Sequence, residues 1–165
     1  AFQQGLTPLS MMAAPSFNDA FVREGFALAP LFTSGSMYLM AFVAPYEAET
    51  AGHATMRATF TAMGIDSANT FLVAGWSSQH HLKGVLEAAN KGGDLTRAGI
   101  RRAAGSVYVD SDGMMPQREL GQNRADAESF IAVPDGTIAS GVKLLAGNYV
   151  GPSAGGYDWE SGPCS

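Results

Sequence analysis

Cysteine is almost missing from this chain of 165 residues: Cys164 stands alone, one residue from the end. It leaves no partner for an internal disulfide and no Cys cluster for a metal. Charge is also sparse, at 15% of residues, beside 46% hydrophobic residues. That balance excludes a disordered polypeptide and supplies enough apolar material for a core of one ordinary domain. Basic residues are the minority, 10 Lys and Arg against 15 Asp and Glu, for a net charge of −5. Phosphate binding needs a basic footprint, so nucleic acid is not an expected partner. No apolar run approaches the ~18–20 residues that span a bilayer. There is no Gly-x-Ser-x-Gly elbow, no P-loop and no dinucleotide fingerprint. Neither catalysis nor a cofactor is therefore expected. The chain opens at Ala1 without Met or a signal segment, and AFQQGLTPLSMM reads as the middle of something longer.

What is present is a series of short apolar segments punctuated by Pro and Gly. Leu9 to Ala14, between Pro8 and Pro15, reads as a brief buried strand. Ser16, with Asp19 three residues on, has the spacing of a capping box for a short helix through Phe21, stopped at Gly25. Met37 to Val43 reads as a second buried strand ended by Pro45. Glu47 to Met63 reads as a helix with Met56, Phe60 and Met63 on one face and Gly64 beyond its end. The clearest element is a helix over Phe71 to Ala89. Its stripe is Phe71, Gly75, Ser78, Leu82, Val85 and Ala89, with Asp66 or Ser67 as cap and Gly92 and Gly93 as stop. Asp94 is placed to cap a further helix through Ala104, and Ser106 to Val109 has strand character. Phe130 to Val133, Pro134-Asp135-Gly136 and Thr137 onward read as a hairpin around a tight turn. The tail from Gly151 is rich in turn residues. The order is β-α-β-α-α-α-β-β-β, which predicts an α/β fold with parallel pairing in its first part and a hairpin at the end.

Two groups of residues invite a metal. His80 and His81 are adjacent, so on a helix they point ~100° apart and do not chelate one ion, while His53 lies in another segment. Asp110 and Asp112 open like a calcium loop, but its twelfth position is Gly121 where a bidentate Glu is needed. No metal is expected at either place.

The segment order and four stretches resemble the C-terminal portion of type I periplasmic solute-binding proteins of ABC transporters, the branched-chain amino-acid and amide group. GLTPLSMMAAPSFNDAFV resembles that family's late strand, ligand loop and helix. SMYLMAFVAPYE is similar to the strand leading into a Pro-containing hinge crossing. NTFLVAGWSSQHHLKGVLEAANKGGDLTRAGIRRAAGS resembles its long helix and the helix after it, and ESFIAVPDGTIAS its closing hairpin. The match spans nearly all of residues 5 to 140. It implies two α/β lobes, parallel sheets flanked by helices, three crossings between the lobes and a ligand in the cleft. Residues 1–45 would end lobe 2, 46–115 would return to lobe 1, and 116–165 would return to lobe 2 as a hairpin and tail. The main part of lobe 1, an N-terminal part of the same protein, would lie outside the chain.

The resemblance also implies partners: a small organic ligand of the amino-acid, amide or aromatic-acid class, and an ABC permease in the membrane. The location would be periplasmic or extracellular, with lipid anchoring one option. A ligand-sensing domain of the same fold in a signalling receptor is the alternative. The loop Ala13 to Phe17 is the ligand candidate, because ligands sit beyond the C-terminal ends of strands in open α/β sheets. Amino-acid binders of the family often place an acidic residue here for the ammonium, where this chain has Pro15 and Ser16. Ser16 is either a ligand contact, a helix cap, or both. Phe17 stands beside it. Trp76 lies about 100° or more from the apolar stripe of its helix, which suits either the cleft or packing against another segment.

Overall fold

The computed structural model describes residues 8–116, 118–119 and 128–152. It has two packing bodies, one built on a sheet and one on helices. The sheet body opens with β1 (Ser10–Ala13), two 3-10 turns (Ala14–Ser16 and Asp19–Val22), the short α1 (Ala29–Phe32) and β2 (Met37–Ala41). The helical body follows with α2 (Ala51–Ala62), α3 (Thr70–Lys91), α4 (Arg97–Ala104), and the two-residue strands β3 (Tyr108–Val109) and β4 (Arg118–Glu119). The chain then returns to the sheet with β5 (Glu128–Pro134) and β6 (Val142–Val150).

The main sheet has the order β1-β2-β5-β6. β1 and β2 run parallel, Ser10 opposite Met37, while β2–β5 and β5–β6 are antiparallel. The parallel start and closing hairpin match the pattern in the sequence. The turn is wider than expected, however. It is closed by Asp135 N–H donating to Gly141 O at 2.8 Å, and Thr137 caps Asp135 through its N–H and hydroxyl.

Alternation along each strand sorts the side chains into two faces. Met37, Leu39, Ala132 and Val142 face inward against Phe17, Val22 and Phe32 from the turns and α1. These aromatics form one cluster with Phe21 and Phe26, ring centroids 5.1–6.3 Å apart. The opposite face holds Met11, Tyr38, Met40, Ile131, Val133 and Leu145, and among the described residues no helix covers it.

That bare face corrects one expectation. β1 is not buried: it is the edge strand, with Leu9 78% and Met11 63% exposed. Its apolar run looked like a core strand because a short run carries no sign of what lies over it. Ser16 is not a helix cap either. It closes a 3-10 turn, and Asn18 is the cap that accepts from Ala20 N at 2.9 Å.

In the helical body, α2 begins four residues later than expected. Thr50 caps it, accepting from His53 N. Met56 and Phe60 are buried, but Met63, just beyond the helix, is 67% exposed. α3 is capped by Asn69, not by Asp66 or Ser67, and α4 by Thr96, whose hydroxyl and N–H are themselves held by Asp94. The larger correction concerns which face of α3 is buried. Val73, Ser77, Val85 and Ala89 face the body, whereas Phe71 (51%), Leu82 (54%) and Leu86 (39%) are exposed. Val73 lies ~200° around the helix from Phe71, so the first turns of α3 bury the side opposite Phe71. Of the expected stripe, Val85 and Ala89 at the C-terminal end are buried, while Phe71, Gly75, Ser78 and Leu82 are exposed.

Close approach explains Gly52. A Cβ there would overlap the Met114 side chain and fall 2.9 Å from Ser111 O, whereas one on Gly75, in the interior of α3, would meet nothing within 4 Å. Gly52→Ala should therefore lower the unfolding free energy of residues 1–165 by about 1–3 kcal/mol. Gly75→Ala should raise it by about 0.5–1 kcal/mol. Urea unfolding of the two variants checks both signs.

Candidate functional site

One described segment joins the bodies, and a second segment of the helical body runs beside it. Residues 42–50 lead from β2 into α2, and residues 110–116 join β3 to β4 within the helical body. They lie side by side: Ala44 N–H donates to Met114 O at 2.9 Å, and Gly52 N–H to Asp112 O at 3.0 Å. Neither segment is part of the main sheet or a helix, so their polar backbone groups need other partners. Arg57 on α2 donates to Tyr46 O and Ala48 O, both at 3.0 Å. The buried Ser111 hydroxyl donates to Met115 O and accepts from Met115 N. Side chains alternate between the bodies along the first segment. Val43 and Tyr46 join the helical core with Met56, Phe60 and Met114, while Ala44 and Ala48 join Ala41 and Phe130 of the sheet.

Polar groups lock this junction on both the sheet side and the helical side. The Glu47 carboxylate accepts from both the N–H and hydroxyl of Ser140, a buried residue in the β5–β6 loop. Arg23 ties the same loop to the second 3-10 turn by donating to Ile138 O at 3.1 Å and to Ala139 O. On the helical side, His53 has no solvent exposure. Its Nε2 lies 3.2 Å from Ala44 O and its Nδ1 2.7 Å from Thr50 Oγ1. A carbonyl only accepts, so Nε2 carries the proton and Nδ1 accepts from the Thr50 hydroxyl. The neutral imidazole is thus fully satisfied. Burial holds its pKa below the ordinary value of 6.5, with Arg57 adding in the same direction.

The three expected ligand residues are placed around this junction in different ways. Ser16 is exposed on its turn, and α3 approaches that turn. Phe17 is 1% exposed and belongs to the aromatic cluster of the sheet body. Trp76 is half-buried, with its ring edge-on to Phe60 at 5.6 Å and 83°. It packs on the core that contains Val43 and Tyr46 of the crossing. Phe17 and Trp76 therefore sit in separate cores, on either side of the joining segment. The polar lock of Glu47, Ser140, His53 and Arg57 was not foreseen. Thr50 and His53 carry a local cap spacing that was open to detection, but Glu47 and Ser140 are 93 residues apart and nothing in the sequence links them.

Among the described residues no three His, Cys, Asp or Glu side chains cluster as metal ligands would. Asp110 Oδ1 accepts from Asp112 N at 2.9 Å, a turn contact. Gly121, Cys164 and the tail beyond Pro152 lie outside the described residues.

No protein-family model and no curated protein matches the chain. Among solved structures, it is similar to a fatty acid ABC transporter substrate-binding protein from Thermomonospora curvata, with a TM-score of 0.79 and 19% sequence identity. The match covers 95% of this chain and 40% of that one. The chain thus has the mixed α/β fold of part of a substrate-binding protein and spans 40% of that neighbour's length.

The His53 site gives a pH dependence with a definite sign. A folded-state pKa lowered from 6.5 means that the unfolded state binds the proton more readily. The stability contribution is full above about pH 6.5 and is lost as pH falls from there through the folded-state pKa. His53→Asn should flatten that part of the curve, measured by urea unfolding between about pH 5 and 8. An unchanged slope would show that His53 is not the group responsible.

Proposed function

We propose that the chain is part of an extracytoplasmic solute-binding protein, one that carries a small organic ligand to an ABC-type permease. The observation that carries this reading is the junction. An ordered segment, 42–50, links two separately packed bodies and is held along its length by the helical body, and an exposed turn at the C-terminal end of β1 faces a helix of the other body. Hinge closure on a ligand needs such a layout, since the ligand bridges two bodies and shifts an open–closed equilibrium. The match to a substrate-binding protein at fold level supports it. In this reading residues 1–45 and 116–165 belong to one lobe and 46–115 to the other. The remainder of both lobes is an N-terminal part of the same protein. No described helix is long and apolar enough to cross a membrane.

Ser16 and the open edge of Trp76 are the proposed ligand contacts. Phe17 supports the turn from beneath, because its ring is sealed in the aromatic cluster. The loop offers no carboxylate for an ammonium group, so an ordinary α-amino acid would lack its usual anchor. Amides, aromatic acids and longer organic acids fit better, and the structural neighbour is itself named for fatty acid. An aromatic anchor suits an apolar or planar ligand because it buries a large area at little entropic cost.

A thermal-shift screen of the full-length polypeptide against amino acids, amides, aromatic acids and fatty acids tests this. A true ligand present at 100 times its Kd stabilises the fold by about 2.7 kcal/mol. With that ligand in hand, Trp76→Ala should weaken binding by about 1–3 kcal/mol in calorimetry. Unchanged affinity would leave Trp76 as packing for Phe60 alone. No stabilisation by any of the four classes would count against the reading itself.

A further inference from the structure

One buried imidazole clasps the crossing near both its ends. His53 reaches Ala44 O at 3.2 Å through Nε2 and Thr50 Oγ1 at 2.7 Å through Nδ1. The neighbouring segment is fastened at the same two places, because Ala44 N–H donates to Met114 O and Gly52 N–H to Asp112 O. The bond from the Thr50 hydroxyl exists only while Nδ1 has no proton. Thr50 Oγ1 also accepts from His53 N, and among the described residues it has no further partner to take its proton. Charge is the larger obstacle. A cation in a site without solvent exposure needs a carboxylate at hand. On α2 itself, Arg57 meets His53 with a like charge. On the crossing, Glu49 is 88% exposed and pairs with Arg57, and Glu47 is bonded to Ser140. On the neighbouring segment, Asp110 and Asp112 are exposed. The stretch of α3 that packs on Met56 and Phe60, from Val73 to Trp76, carries no charge. An imidazolium at position 53 is therefore accommodated only when the crossing lets go of it.

We propose that His53 is an acid-sensitive latch of the crossing: protonation favours a state in which residues 42–50 are released from α2 and from segment 110–116, and the two bodies lose their fixed relation. This rests on the solute-binding reading and adds regulation to it. An extracytoplasmic carrier meets the pH of its surroundings, and histidine is the side chain whose ordinary titration falls in that range. Release of the crossing in acid withdraws support from the closed, ligand-holding arrangement. The lowered pKa of His53 agrees with the geometry, since the latched site prefers the neutral ring. The released state then binds the proton more readily, so the latch holds above about pH 6.5 and weakens as pH falls below it. The opening is local and lies below global unfolding in free energy.

Hydrogen exchange of the full-length polypeptide, resolved to single amides and with no ligand added, reads the latch. The amides of Ala44 and Gly52 report the junction, and those of Val85 and Ala89 inside α3 are controls. Protection factors, which remove the pH dependence of intrinsic exchange, should fall at Ala44 and Gly52 between about pH 7.5 and about pH 5. One proton linked to a released ring of ordinary pKa 6.5 limits the fall to about thirtyfold at about pH 5, so a loss of about threefold to thirtyfold is expected. Val85 and Ala89 should keep their protection. His53→Gln retains an N–H for Ala44 O and takes no proton, so it should abolish the pH response. His80→Gln combined with His81→Gln leaves His53 as the one imidazole of these 165 residues and should preserve the response, a test that stands even where His53→Gln does not fold. Flat protection at Ala44 and Gly52 across this range would overturn the proposal. So would an equal loss at Val85 and Ala89, which is acid unfolding of the whole, a response that persists in His53→Gln, or one that vanishes with His80 and His81. No transported ligand enters the measurement, so failure of the ligand screen and failure here are separate results.

Discussion

The structure depends on keeping nine residues of irregular chain, 42–50, ordered between two bodies. A segment without ladder or helix bonds has to find partners for each buried carbonyl, or the cost is about 1–3 kcal/mol per orphaned group. Here the partners are side chains delivered from the first turns of α2. His53 takes Ala44 O, and Arg57 takes Tyr46 O and Ala48 O. Those two residues sit four apart, one turn of helix, so α2 presents both toward the same stretch of chain. The position of α2 therefore fixes the crossing, and the crossing fixes how the helical body meets the sheet.

From that constraint the rest follows in steps. The alternation of Val43 and Tyr46 toward one core, and Ala44 and Ala48 toward the other, stitches two hydrophobic clusters through one strand of chain. The Glu47–Ser140 contact adds a link from the crossing to the β5–β6 loop. That loop is in turn anchored by Arg23 to the turns that carry Ser16 and Phe17. A displacement at the crossing is thereby passed to the proposed ligand turn through hydrogen bonds and packed rings. This is the kind of connection that a hinge between two bodies requires.

Local periodicity and punctuation revealed much of the fold. The order from β2 to α4, the parallel first pair, the length of α3 and the final hairpin were legible, because each rests on patterns within a few residues. The helix expected after β1 is instead a pair of 3-10 turns, and α1 and β4 were not expected. What was not legible depended on partners. β1 and the Phe71 and Leu82 positions of α3 read as core because their composition is that of core, yet Met11, Phe71 and Leu82 are exposed. Caps shifted by two or three residues, to Asn69 and Thr96, since several Ser, Thr, Asp and Asn compete near each helix start. The junction was hidden for a different reason. Its acceptors are backbone carbonyls, which no sequence pattern marks, and its Glu47–Ser140 contact spans 93 positions. Phe17 and Trp76 were singled out as ligand contacts, but whether a ring faces a cleft or a core is decided by neighbours such as Phe60 and Phe32.

The claim at the centre of this account is that the two bodies move as units about the crossing at residues 42–50 and close on a ligand. Spin labels at Glu24, exposed on the sheet body, and Lys91, exposed at the end of α3, report that motion directly once Cys164 is replaced by Ser. Pulsed electron resonance on the full-length polypeptide should show a broad distance distribution without ligand. With saturating ligand it should become narrower and shorter by several ångströms, on the order of a hinge closure. A ligand that binds in calorimetry and leaves the distribution unchanged would contradict the hinge and the function built on it.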